Sequence, residues 1–230
     1  MIDKLYTKFE NREDSLTKML DIIPSGEFSK PNTILIAISY GGLYLAYEIS
    51  RRFDLPLDFL FTEPLFAPKN NECEVAIVSE SMDIAINDTL VESFGISYDF
   101  IYGEAKRRYD EGILPNIYKY RKGETMQSLN KRNVILIDDG VESGLTMSVA
   151  IKTCMKKFCS TIRIAVPVIS SDTRELLETS VDAIYSFYTP LHFVDTEYYY
   201  ENFEAVDSAL VVEMLNKSLI KGTCNGTKSK

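Results

Sequence analysis

Asp138 and Asp139 stand side by side, followed by Gly140-Val141-Glu142-Ser143-Gly144-Leu145-Thr146. Paired carboxylates accept hydrogen bonds from vicinal hydroxyls. The small residues, hydroxyls and backbone amides after them suit a phosphate held at a helix N-terminus. Together these groups fit a sugar phosphate. A plainer alternative makes the acids mere caps of a helix that starts after a turn. The acid pair, the Ser-Gly-x-Thr step and the apolar run before them argue against that alternative. The loop carries no GxxxxGK[ST] pattern, and no GxGxxG follows any strand, so neither a P-loop nor a dinucleotide fingerprint is present.

Such a loop needs a strand to deliver it and a helix to receive it. Val134-Ile135-Leu136-Ile137 is a continuous apolar run, the mark of a strand buried on both faces, and a helical pattern follows from Met147 to Phe158. In open α/β sheets ligands sit at the C-terminal ends of such strands. Thr33 to Ile38, Leu57 to Phe61, Ile162 to Ile169 and Val181 to Phe187 read as further strands, and Val75 to Val78 with Met82 to Ile86 as a short pair. Helical spacing covers residues 5–23, 43–53, 173–178 and 203–219. Residues 62–71 read as irregular, and residues 98–120 as helical stretches interrupted at Gly112 and Pro115. Strands alternating with helices imply a doubly wound α/β fold with a mainly parallel central sheet of about five strands. Residues 1–220 are expected to form one domain, with a disordered tail at 221–230.

Composition narrows the function. With 230 residues, 45% hydrophobic and 26% charged, the chain is an ordinary globular protein that buries roughly 70% of its unfolded surface. A net charge of −9 disfavours nucleic-acid partners. An anionic ligand would therefore need a divalent cation and local N–H donors, so Mg²⁺ is expected. No apolar run approaches the ~18 residues of a membrane span, and the N-terminus shows no signal-peptide pattern. Cys73, Cys154, Cys159 and Cys224 lack CxxC spacing and fit reduced thiols in a cytoplasm.

Ile137-Asp138-Asp139-x-x-x-Ser143-Gly144-x-Thr146 resembles the phosphoribosyl-pyrophosphate (PRPP) motif of type I phosphoribosyltransferases. The resemblance covers most of residues 9–215. Phe9-x-x-Arg12, Ala37-Ile38-Ser39-Tyr40-Gly41-Gly42, Ala67-Pro68 with Glu72, and Tyr120-Arg121-x-Gly123 are similar to one bacterial group of that family. So are Val166-Pro167-Val168, Pro190-x-x-Phe193 and Tyr200-Glu201-Asn202-Phe203-x-x-Val206.

The resemblance implies a transferase moving the 5-phosphoribosyl group between PRPP and a nitrogenous base, under a small hood from the chain's N-terminal part, its C-terminal segment, or both. Asp138 and Asp139 would hold the ribose hydroxyls directly or through Mg²⁺-bound water. Gly140, Val141, Ser143, Gly144, Leu145 and Thr146 would cradle the 5′-phosphate. The Tyr40-Gly41-Gly42 turn would receive the pyrophosphate; on local pattern alone it is equally a strand-to-helix turn. Glu142 is either a general base for the acceptor or a solvated loop acid. A nucleobase or nucleotide is the expected partner, and relatives commonly pair as homodimers.

Two departures from the group bear on pyrophosphate. Tyr40 stands where the group carries arginine, and Glu63-Pro64 where it carries a basic pair, so charge-assisted contacts are missing. Lys69, Lys106, Arg107 or Arg108 would have to replace them. A binding or regulatory module without transfer activity is the competing reading. An unrelated phosphatase or hydrolase is weaker, because no other strand end offers a nucleophile with a base partner. His192 is the one histidine and reads as structural. Tyr198-Tyr199-Tyr200 reads as packing in preference to base stacking, and Cys154 and Cys159 as core thiols on an apolar helix.

Overall fold

The computed structural model describes residues 8–224, with side chains to residue 217. Its strands are β1 (Thr33–Ala37), β2 (Leu57–Phe59), β3 (Thr62–Ala67), β4 (Asn70–Ser79), β5 (Ile84–Ile86), β6 (Asn133–Ile137), β7 (Thr161–Val168) and β8 (Ala183–Tyr188). Its helices are α1 (Arg12–Ile22), α2 (Tyr40–Phe53), α3 (Asp88–Ser93), α4 (Tyr98–Arg108), α5 (Leu114–Arg121), α6 (Leu145–Lys156), α7 (Ser171–Glu178) and α8 (Ser208–Cys224).

Five strands form a parallel sheet in the order β2-β1-β6-β7-β8, as the alternating pattern predicts. Successive side chains on a strand point to opposite faces. In β1, Leu35 and Ala37 enter the core on one face, while Ile34 and Ile36 enter the core on the other. In β6, Ile135 and Ile137 divide from Val134 and Leu136 in the same way. Both faces are covered, which is why these strands are apolar throughout. The chain winds outward from β1 in one direction and from β6 in the other, so the order reverses between them. Their register pairs Ala37 with Ile137 and brings the two C-terminal ends together at this switch point.

Residues 62–71 are not irregular. They form β3 and the start of β4, antiparallel strands of a separate three-stranded sheet in the order β3-β4-β5. Pro64 lies in β3, an edge strand, where a missing N–H is tolerated. Register shifts at Leu65/Phe66 and Phe66/Ala67 obscured the strand period. This small antiparallel sheet, within residues 62–86, fits a hood beside the central sheet.

Gly112 and Pro115 interrupt residues 98–121 only partly. A widened π-type turn at Tyr109–Ile113 joins α4 to α5, and Pro115 lies in the first turn of α5, where no amide is required. At the N-terminus, α1 begins at Arg12, capped by Asn11 accepting from the amides of Glu13 and Asp14. Residues 9–10 instead run beside 199–202, through Phe9 N–H to Tyr199 C=O (2.7 Å), Glu201 N–H to Phe9 C=O (2.8 Å) and Asn202 N–H to Glu10 C=O (3.0 Å). Leu5, placed on the first helix by its spacing, and tail residues 225–230 lie outside the described residues. Among the described residues, no helix is long and apolar enough to cross a membrane.

Candidate active site

β6 ends directly in the acid pair, and the pair is largely buried: Asp138 is 7% exposed and Asp139 6%. Across the switch point, Ser39 begins α2 as its cap, accepting from the Gly42 amide at 2.9 Å. The Ser39 hydroxyl donates to Asp138 Oδ1, and the Asp139 amide donates to the same oxygen at 2.8 Å. Burial, followed by the neighbouring Asp139 charge, pushes the Asp138 carboxyl well above the ordinary carboxylate range.

Asp139 has a different setting. Arg12 Nε donates to its Oδ2 at 2.9 Å, and the Tyr200 hydroxyl donates to its backbone carbonyl at 2.7 Å. Burial and then Asp139 push the Tyr200 hydroxyl upward.

Tyr40, Gly41 and Gly42 are the first turn of α2, not a loop. A Cβ on Gly41 would stand 1.7 Å from Asp139 Oδ2, and one on Gly42 would stand 2.6 Å from the Ile137 carbonyl. The glycine pair is thus required for α2 to pack on the end of β6. Tyr40 is partly exposed and its ring stacks on Phe59 at 5.6 Å. Its hydroxyl is pushed up to about 12, by burial first and then by its hydrogen bond with Tyr120.

The loop after the acids is pinned at both flanks. Val141 N–H donates to Val168 C=O and Val141 C=O accepts from Ser170 N–H, both at 3.0 Å, which ties the loop to β7. The Thr173 hydroxyl holds the Glu142 carbonyl. Gly144 caps α6 with φ +72°, a conformation that favours glycine, and a Cβ there would also meet Thr173 at 2.6 Å. Among the described residues, the amides of Gly140, Glu142, Ser143, Gly144 and Thr146 take no protein acceptor. They surround a cavity of about 430 Å³ at the N-terminus of α6, whose walls include Asp138, Glu142, Thr196 and, from β4, Glu72 and Glu74.

This arrangement can receive an anion on amides and hydroxyls at one side and donor groups on carboxylates at the other. Among the described residues, no Lys, Arg or His lines the cavity. Glu74 is shifted upward by burial first, then by Glu142 across the cavity. The four wall carboxylates are hard oxygen donors, suited to Mg²⁺. Among the described residues no three metal-ligating side chains cluster tightly enough to hold an ion by themselves, so a bound ion would have to share its coordination with a ligand.

Three of the four candidate replacement cations are ion-paired elsewhere. Lys106 pairs with Asp110 at 2.7 Å, Arg107 with Glu104 and Glu111, and Arg108 with Glu104 at 3.0 Å, all along α4 and its extension. Lys69 occupies the β3–β4 turn with φ +66°. His192 contributes its carbonyl to the Tyr199 hydroxyl at 3.3 Å. Tyr199 and Tyr200 are buried in an aromatic cluster with Phe9, so they pack. Cys154 is buried on α6, its thiol pushed up by burial, while Cys159 lies just beyond the helix.

Four residues gained their place only from the structure. Arg12 had a motif but no role, and Tyr200 sat within a run whose packing hid its contact with Asp139. Glu74 and Thr196 carry no local signal, because each reaches the loop through long-range folding.

Fold and site together define a parallel α/β protein with an anion-type loop and an acid pair at its switch point. Residues 6–201 match the phosphoribosyl transferase domain, and the chain belongs to that family. Proteins of two Mycobacterium tuberculosis strains, each provisionally named a phosphoribosyl transferase, are 21% identical over 210 residues, or 91% of this chain. That alignment covers 47% of each, so the chain spans about half the length of these curated relatives. A crystal structure of a Thermus thermophilus protein superposes with a TM-score of 0.73, covering 92% of this chain and 99% of that one at 24% identity. That likeness shows the shared fold.

Proposed function

We propose that this protein is a Mg²⁺-dependent phosphoribosyltransferase that moves the 5-phosphoribosyl group of PRPP to a nitrogenous base and releases pyrophosphate. The observation that carries this reading is the set of amides at 140, 142–144 and 146 that take no acceptor among the described residues, lining one cavity at the switch point with Asp138. The amides and the Ser143 and Thr146 hydroxyls bind the 5′-phosphate. Asp138 and Asp139 accept from the ribose hydroxyls and would hold Mg²⁺, which supplies charge neutralisation to the leaving pyrophosphate. In the reaction the C1–O bond to pyrophosphate breaks and a C1–N bond to the base forms. The proton leaving the base nitrogen passes to Glu142, whose carboxylate lines the cavity. The same reading includes a cytoplasmic location and a homodimer.

A binding module that recognises ribose phosphate without transfer is the second reading. It is favoured by a cavity wall that carries no cation among the described residues and by the ion pairs that occupy Lys106, Arg107 and Arg108.

Pyrophosphate release with PRPP, Mg²⁺ and a panel of bases, alongside calorimetry with PRPP, separates the two. Release with one base establishes transfer; tight PRPP binding with no release under any base establishes the module; no binding at all removes both. With turnover present, Glu142→Gln is expected to lower kcat about 100-fold or more with little change in PRPP affinity. Unchanged turnover would remove Glu142 from the mechanism.

A further inference from the structure

Three stretches far apart in sequence meet around the Asp139 carboxylate and the Arg12 guanidinium bound to it. From the start of α1, Arg12 Nε reaches Oδ2 at 2.9 Å, with the guanidinium side chain 12% exposed. From the C-terminal segment, Phe203 lies under the guanidinium at 4.2 Å, and the Glu204 carbonyl accepts from Nη1. From α2, Gly41 leaves the space that Oδ2 occupies. Among the described residues Arg12 is the one cation paired with Asp139.

A carboxylate swings about its terminal torsion, and each oxygen offers about two acceptor positions. A planar guanidinium held by stacking and by a second acceptor fixes one edge of that carboxylate. The remaining acceptor positions are left in a set orientation. Vicinal hydroxyls have a fixed separation, so binding them gains from a carboxylate ordered in advance.

We propose that Arg12 is a positioning residue for sugar recognition: it orients Asp139 for the ribose hydroxyls and makes the C-terminal segment at Phe203 and Glu204 part of the site. This rests on the assignment of Asp139 to ribose made above. A merely structural Arg12 would influence folding and every ligand alike. A positioning Arg12 influences the hydroxyl-dependent part of binding and spares the phosphate part.

The experiment is calorimetry on the full chain with ribose 5-phosphate, 2-deoxyribose 5-phosphate and inorganic phosphate. The wild type is expected to prefer the ribose compound. Arg12→Gln, which loses a charge-assisted hydrogen bond, is expected to shrink that preference about tenfold with inorganic phosphate affinity unchanged. Arg12→Lys should restore part of it. Phe203→Leu keeps the charge but removes the stacking surface. It should lower the preference by a smaller factor, and it carries the test alone if Arg12→Gln does not fold.

Full preference retained in Arg12→Gln, or in Phe203→Leu where only that variant folds, overturns the positioning role and leaves the proposed function standing. Parallel loss of inorganic phosphate affinity also overturns it, since that marks a structural role. A wild type without any preference for the ribose compound overturns both.

Discussion

Asp138 and Asp139 are neighbours with opposite surroundings, and the difference decides how they carry charge. Asp139 faces Arg12, whereas among the described residues Asp138 receives only neutral donors, from Ser39 and the Asp139 amide. Burial and the adjacent charge therefore raise the Asp138 pKa in the folded protein. A carboxyl with a raised folded-state pKa holds a proton that the unfolded chain releases. Its contribution to stability is complete below the ordinary carboxyl pKa and is lost as pH rises through the raised value. Asp138→Asn removes that dependence, so in chelator the variant should gain stability relative to wild type as pH rises from acid to neutral. Urea midpoints measured for both proteins across that range provide the check. Parallel curves would show that Asp138 does not carry a raised pKa. The acid pair itself was legible in the sequence because its residues are contiguous. The partition of its charge was not, since Arg12 lies 127 positions away from Asp139.

At the scale of elements, legibility followed the range over which each element's pattern is set. β1 and β6 announced themselves because burial on both faces leaves a continuous apolar run. β3 did not, because Pro64, Glu63 and two register shifts break its alternation, and it exists through pairing with β4. The small sheet built on that pairing is fastened to α6 by a polar cluster. Asp83, 3% exposed, accepts from Thr153 Oγ1 at 2.8 Å and pairs with Lys156, while Ser79 Oγ meets the same Thr153 hydroxyl at 3.1 Å. Since β4 also carries Glu72 and Glu74, this fastening fixes the acidic wall of the cavity over the loop. Thr153→Val keeps the shape and deletes the hydroxyl shared by Ser79 and Asp83. A loss of about 1–3 kcal/mol is expected by denaturant unfolding, because a buried carboxylate loses a donor. A loss below about 0.5 kcal/mol, the ordinary scatter of surface changes, would show that the cluster is not a fastening.

Across the whole molecule, the central sheet and the small sheet are joined by charge as well as by apolar packing. Arg121, at the end of α5, is buried between Asp58 of β2 and Glu80 just beyond β4. Asp58 also accepts from the Gln127 amide at 2.7 Å and the Phe59 amide at 2.8 Å, and Glu80 from the Phe61 amide at 3.1 Å. The guanidinium lies 4.9 Å from the Phe61 ring centroid, and its Nε and Nη1 have no hydrogen-bond partner among the described residues. Burial raises both carboxyls and Arg121 opposes that rise, so the cation is what keeps two interior acids tolerable. Arg121→Met removes the compensation while retaining bulk, and should cost about 3–5 kcal/mol near neutral pH. Without the cation, the folded-state pKa of both acids rises further above the unfolded value. The deficit should then shrink as pH falls and both acids take up protons in either state. Unfolding curves for wild type and Arg121→Met at acidic and neutral pH test this directly. A deficit that is the same at both would assign the loss to packing, and the two sheets would then be joined by apolar contact alone.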